Sequence, residues 1–171
     1  MGLDQLWAGW RYEYVTSATE LDRDAGNGGC VFCRIKESGG PSDQNGVLWR
    51  GQHSFAVMNL YPYTSGHILV LPNRHESDVN SLSREESIEL WDTALCATRA
   101  IEAAFKPDGM NLGANLGRAA GAGIPLHLHL HVLPRWSGDT NFMTPVANTR
   151  VISESFESTW ARLHAAWPND R

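Results

Sequence analysis

His127-Leu128-His129-Leu130-His131-Val132-Leu133 alternates imidazole and apolar groups without a break. Successive side chains on a β-strand point to opposite faces, so this pattern predicts a strand over residues 127–133 that aims three histidines at one face and buries Leu128, Leu130 and Val132 behind it. Pro134 is expected to end that strand. The 171-residue chain has seven histidines, and three of them fall here at i, i+2 and i+4. An imidazole with an ordinary pKa of about 6.5 serves as nucleophile, proton donor or ligand near neutral pH, so a face built from three is a chemical surface. Geometry argues against one metal held by all three. Same-face neighbours on a strand lie about 6.6 Å apart, which separates the outer two by about 13 Å.

Around this stretch the chain reads as one domain. Its length and 42% hydrophobic content suffice for a sizeable core. No apolar run approaches the roughly 20 residues that span a bilayer, and Asp4 stands where a signal peptide would carry basic charge, so a cytoplasmic protein without a membrane partner is expected. The formal net charge of −5 excludes broad electrostatic binding of nucleic acid, which needs clustered Lys and Arg. It does not exclude an anionic substrate held by local donors.

Strand-like segments run over 47–50, 54–59, 66–71 and 110–116, with turn residues at Gly51 and over 62–65, and they are expected to pair antiparallel. A helix is expected from Ser83, where Ser83 and Glu86 make a capping box, with Ile88, Trp91, Leu95, Ile101 and Phe105 as its sheet-covering face and Pro107 and Gly109 as its stop. A terminal helix over 156–167 places Trp160, Leu163 and Trp167 on one side. Residues 16–29 and 37–45 read as loops. The fold class is therefore α+β, a mainly antiparallel sheet with a long helix and a C-terminal helix packed on it.

Cys30-Val31-Phe32-Cys33 is a second chemical signal: half of a zinc site or a redox dithiol. No helix-forming run is expected to start at Cys33, as a redox motif requires. His75 follows a predicted strand and is placed to turn back on the cysteines. Cys96, inside the apolar pattern of the long helix, reads as a core residue. The Gly-rich segment 115–125, with Asn115, Arg118, Gly121 and Gly123, supplies small residues whose backbone N–H groups can approach anionic oxygens and a guanidinium that pairs with them. No Gly-Lys-Ser/Thr follows, so it is not a P-loop.

The heptapeptide matches His-φ-His-φ-His-φ-φ, with φ apolar, at every position, and so resembles the signature of the histidine triad family of nucleotide hydrolases and transferases. The resemblance extends through Phe55-Ala56-Val57-Met58-Asn59, Pro62 and residues 66–72, then forward through 134–142 and back to Leu6-Trp7-Ala8-Gly9-Trp10-Arg11, where it is similar to a bacterial subgroup acting on diadenosine tetraphosphate. It implies a single domain over 1–171, with an N-terminal arm and loop over 1–29, a catalytic core over 30–142 and a C-terminal extension over 143–171. It also implies cleavage at the α-phosphate of a dinucleoside polyphosphate through a nucleotidyl-histidine. In that scheme His129 is the nucleophile, His131 contacts phosphate oxygens near the scissile bond and His127 orients the site.

Zinc-bearing relatives imply a structural zinc on Cys30, Cys33, His75 and His127. Asn115, Arg118, Gly121 and Gly123 would contact substrate. Asn59 would bind ribose, with a turn-forming role as the alternative. A homodimer is expected. Trp7 and Trp10 either stack on a base or cover the sheet, and His53, His67 and His164 are assigned to surface or packing roles. Some relatives carry Gln or a Gly-Ser pair near position 123, where this chain has Ala122-Gly123, so water is expected to outcompete phosphate as the acceptor. The alternatives are a diadenosine tetraphosphate phosphorylase, a nucleoside phosphoramidase or a nucleotide-binding regulator without turnover.

Overall fold

The computed structural model describes residues 29–139 and 154–168. The two N-terminal tryptophans, the segment 140–153 and residues 169–171 lie outside that range. In chain order the elements are helix α1 (Val31–Glu37), strands β1 (Val47–Arg50), β2 (Ser54–Met58) and β3 (Ile68–Pro72), helix α2 (Arg84–Phe105), strands β4 (Gly109–Ala114) and β5 (Leu130–Arg135), and helix α3 (Phe156–Ala165). The strands form one antiparallel sheet in the order β1-β2-β3-β5-β4. The α+β architecture expected from the sequence is the one observed.

Both faces of the sheet are covered, and strand alternation sorts the residues between them. Ala56, Met58, Ile68, Val70 and Val132 join Leu90, Ala94, Ala97, Ala100 and Ile101 of α2 and Leu163 of α3 in the larger core. The opposite face carries Val47, Phe55, Val57, Leu69 and Leu71, packed with Phe32 of α1. Register aligns Val47, Val57, Leu69, His131 and Gly113 as one row across all five strands on this second face. The row fixes where the chemistry sits: His131 has apolar Leu69 on one flank and a bare glycine on the other.

Helix α2 starts as expected. The Ser83 hydroxyl accepts from Glu86 N, and the Glu86 carboxylate accepts from Ser83 N. It ends in a left-handed Lys106, φ 49°, just before Pro107. Its core face is only partly the one expected: Ile101 is buried in the core and Phe105 packs against it, as expected. Ile88, Trp91 and Leu95 point to solvent, with Trp91 51% exposed, while small residues at 94, 97 and 100 lie against the sheet. Alanines let a helix approach a strand layer whose own bulky side chains already fill the interface. Farther along, Glu89 Oε1 accepts from the backbone N–H groups of His53 and Ser54 at 2.8 Å each and from the Ser54 hydroxyl at 3.1 Å. This carboxylate closes the β1–β2 turn, where an unsatisfied buried amide costs about 1–3 kcal/mol.

The triad strand is shifted from its expected limits. β5 begins at Leu130, so His127 and His129 precede it, and it continues through Pro134 to Arg135 rather than stopping at the proline. Pro134 lies opposite Met110 of β4, and its carbonyl accepts from the Thr64 hydroxyl. A proline is tolerated in a ladder where its missing N–H is not required. The terminal helix spans Phe156–Ala165, with Ser155 as its cap; Leu163 and Trp167 are buried and Trp160 Nε1 donates to the Val47 carbonyl. Among the described residues no helix is long and apolar enough to cross a membrane.

Candidate active site and metal centre

The three triad histidines do share one face. The rings of His129 and His131 are 5.0 Å apart, and Phe32 lies 5.7 Å from His127 and 5.3 Å from His129. Their hydrogen bonds differ, so their chemistry differs. His129 Nδ1 donates to the His127 carbonyl at 2.8 Å. A carbonyl only accepts, so this contact places the proton on Nδ1 and leaves the lone pair on Nε2. Burial lowers the His129 pKa, only partly offset by that hydrogen bond, so the ring is neutral at pH 7. A neutral ring with a free Nε2 lone pair has the form a nucleophile takes without a base.

His131 is set by a residue that the sequence reading had assigned to packing. His67 is 1% exposed, and its Nε2 lies 3.0 Å from His131 Nδ1. The backbone N–H of Tyr63 donates to His67 Nδ1 at 3.2 Å. From this one amide the tautomers follow in sequence. His67 Nδ1 accepts, so neutral His67 carries its proton on Nε2 and donates to His131 Nδ1. His131 is then protonated on Nε2, a buried atom with no hydrogen-bond partner among the described residues. Burial, reinforced by neighbouring His129, lowers the His131 pKa to about 4, so this N–H is carried by a neutral ring. Nothing in the local sequence marked His67, because a lone histidine before an apolar strand has no periodicity to expose it.

Cys30 caps the N-terminus of α1 and Cys33 lies in its first turn. A helix does therefore run through Cys33, contrary to the expectation used against a redox dithiol. The surroundings argue for a metal instead. Cys30 Sγ and Cys33 Sγ lie 3.4 and 3.7 Å from His127 Nδ1, and Cys33 Sγ lies 3.5 Å from His75 Nδ1. All four ligand atoms fall within 4.8 Å of one another. A tetrahedral ion with Zn–N of about 2.0–2.1 Å and Zn–S of about 2.3 Å requires ligand separations of about 3.3–3.8 Å. The cluster thus fits such an ion. His127 Nε2 donates to the Pro72 carbonyl at 3.0 Å, which leaves Nδ1 free to ligate. Burial and the charge of Cys30 raise the Cys33 pKa, a repulsion that a cation between the sulfurs would remove. His75 is held by its neighbours: Lys36 donates to the Asn73 carbonyl, and Arg74 bridges Glu76 and Glu86.

The loop residues are placed less uniformly. Gly117 and Gly121 have φ of 79° and 89° and bracket a short 3₁₀ turn over Arg118–Ala120, a path that a side chain at either position would strain. Asn115 Nδ2 donates weakly to the Gly121 carbonyl at 3.4 Å, while Gly123 is half-buried and Arg118 is exposed. Asn59 Oδ1 accepts from Tyr61 N at 3.0 Å, and its amide lies 3.3 Å from His67 Nδ1. The turn-forming reading of Asn59 is the one these contacts support. Cys96 is buried in the core, and His164 stacks on Trp160.

Imidazole ¹⁵N spectra test the tautomer sequence directly. His67 and His131 are expected as Nε2–H tautomers and His129 as Nδ1–H, with His131 remaining neutral on titration to below pH 5. A His131 signal that protonates near pH 6.5 would contradict the arrangement.

Comparison with known proteins places this geometry in a family. An AP-4-A phosphorylase of Mycobacterium tuberculosis is 38% identical over 166 residues, 96% of this chain and 85% of the relative. A bis(5'-adenosyl)-triphosphatase of Dictyostelium discoideum is 35% identical over 92 residues, 54% of this chain and 61% of that protein. A crystal structure of a zinc-bound histidine triad family protein from Mycobacterium smegmatis superposes with a TM-score of 0.64 at 29% identity, covering 80% of this chain and 91% of that one. The family model described as HIT domain matches residues 42–138, more than half of the chain and all of the triad, and the protein belongs to that histidine triad family.

Proposed function

We propose that this protein moves the nucleotidyl group of a dinucleoside polyphosphate, of the diadenosine tetraphosphate type, onto orthophosphate through a covalent intermediate on His129. The observation that carries the reading is the state of His129: buried, neutral, its Nδ1 proton held by the His127 carbonyl and its Nε2 lone pair left for attack. In the first half-reaction the bond from Nε2 to the α-phosphorus forms as the bond from that phosphorus to the leaving polyphosphate oxygen breaks. The leaving group departs as an anion and receives a hydrogen bond from His131 Nε2–H rather than a proton. In the second half, an acceptor oxygen bonds to phosphorus as the N–P bond breaks and returns neutral His129. The Nδ1 proton stays in place throughout. The Asn115–Gly123 loop, with Arg118 at its turn, is the candidate cradle for the phosphate oxygens.

Phosphate as acceptor is supported by the Mycobacterium tuberculosis relative, whose similarity runs over almost the whole chain. Water is the second reading, favoured by the absence of a hydroxyl at Ala122-Gly123. Ala122 is buried, whereas Gly123 is half-buried, so the missing side chain bears on the acceptor only at the second position. With diadenosine tetraphosphate and millimolar orthophosphate, the expected products are ADP and ATP. AMP and ATP would make the protein a hydrolase, and no cleavage would overturn the reading. His129→Ala is expected to lose about 10⁴-fold or more of the activity, together with an acid-labile, base-stable label derived from the α-phosphate.

Zinc is the metal we propose for Cys30, Cys33, His75 and His127. Two thiolates and two imidazoles close a tetrahedral shell, so the ion would stabilise the fold and orient His127 without an open position for substrate. Elemental analysis is expected to find about one zinc per chain. Cys33→Ser should lower the melting temperature by roughly 10 °C, as loss of a folding-linked metal implies, and reduce turnover per folded molecule far less. Metal-free protein of native stability would refute this.

A homodimer also forms part of the reading. It is supported by the edge of β4, unpaired among the described residues, and by the apolar stripe Ile88, Trp91 and Leu95 on α2. Sedimentation of the native chain is expected to give twice the 18.9 kDa chain mass, and a monomer at micromolar concentration would remove this element.

A further inference from the structure

The row across the sheet gives His131 two unlike flanks. Toward β3 it meets Leu69 and the apolar wall. Toward β4 it faces Gly113, and beyond it Leu133 faces Asn111. A recess of about 210 Å³ opens on this second side, lined by Tyr63, Asn111, Gly113, Asn115, His131 and Leu133. A Cβ built on Gly113 would meet nothing within 4 Å, and its φ lies outside the left-handed region. The glycine is therefore not required by the backbone; what it provides is an open floor beside His131. Asn111 is held rather than mobile, since its Oδ1 accepts from Arg135 Nη1 at 2.9 Å while Arg135 is clamped by both oxygens of Asp139. With the carbonyl end committed to a cation, the NH₂ end of Asn111 is the donor left to a ligand. Among the described residues the recess has no carboxylate in its lining. His131, whose buried Nε2–H has no hydrogen-bond partner among the described residues, is part of that lining.

We propose that this recess is the subsite for the leaving-side polyphosphate of the substrate, with Asn111 as a specificity-determining residue and Gly113 as the opening that admits the phosphate chain. The inference rests on the nucleotidyl-transfer reading above. Phosphoryl transfer places attacking and leaving oxygens roughly in line through phosphorus. His129 precedes His131 along the triad, and the recess continues in the same direction past His131 toward Leu133 and Asn111. A group attacked by His129 Nε2 therefore leaves over His131 and into the recess. Neutral amide and imidazole N–H donors suit anionic oxygens that must be released each cycle, since an ion pair would hold them more tightly. The acceptor of the second half-reaction enters along the same line, so the recess is also the path by which phosphate reaches the intermediate.

The test compares native protein with Asn111→Leu and Gly113→Val on diadenosine tetraphosphate and on an adenylate ester with a small phenolic leaving group, alongside sedimentation to confirm an unchanged assembly. Each variant should lose at least tenfold in kcat/KM on the tetraphosphate and less than threefold on the ester. Equal losses on both substrates, or no loss on either, would overturn the subsite, as would a changed assembly accounting for the loss. A native protein active on the ester but not on the tetraphosphate would overturn both the subsite and the function proposed above. A native protein active on both, with variants unaffected, would remove the subsite alone.

Discussion

His127 faces two ways at once, and the site depends on it. Its ring is fixed between the Pro72 carbonyl and the two cysteine sulfurs, and its own carbonyl fixes His129. A backbone carbonyl cannot be turned without moving its residue, so whatever anchors the His127 ring also sets the angle at which the His129 ring stands. A metal in the Cys30, Cys33, His75 and His127 cluster would reach the nucleophile through one peptide unit, without touching substrate. A closed coordination shell, which offers no chemistry of its own, would thus bear on the site only through the placement of His127.

The second histidine pair is built on the same logic with a different anchor. The fixed direction of the Tyr63 N–H ends in a donor at His131 Nε2, passing through His67. Both operating nitrogens are thus assigned by main-chain groups, one carbonyl and one amide, rather than by ionised partners. Neutral rings oriented by backbone keep their protonation over a wide pH range, and burial extends that range further by penalising the charged form.

Strict alternation in 127–133 exposed the chemical face, and the Ser83–Glu86 pair located the start of the long helix to the residue, because both are short-range patterns with one physical meaning. The face of α2 was legible only toward its C-terminal end, where Ile101 and Phe105 do meet the core. Large apolar residues at helical spacing look like a core stripe, yet packing against a sheet already rich in Val, Ile and Leu favoured the alanines, and Ile88, Trp91 and Leu95 were turned outward. The helix through Cys33 and the continuation of β5 past Pro134 were hidden for a related reason. Each depends on tertiary partners, α1 on the pocket it closes and Pro134 on β4, which no local propensity encodes. His67 was invisible because the partner it serves, His131, lies 64 residues away.

The two flanks of His131 show how a sheet can separate recognition tasks with one register. Because Leu69 and Gly113 pair with the same residue from opposite sides, a one-residue slip of either neighbouring strand would exchange a wall for a recess or remove the row altogether. Central β3, paired on both edges and buried on both faces, is the strand least able to slip, and it carries the wall and follows directly on His67. Edge strand β4, largely exposed, carries the recess. A sheet edge tolerates changes in side chain that a central strand does not, so the β3 half of the row holds the His67 and His131 rings in place while the β4 half is where side chains can change at least cost to the fold.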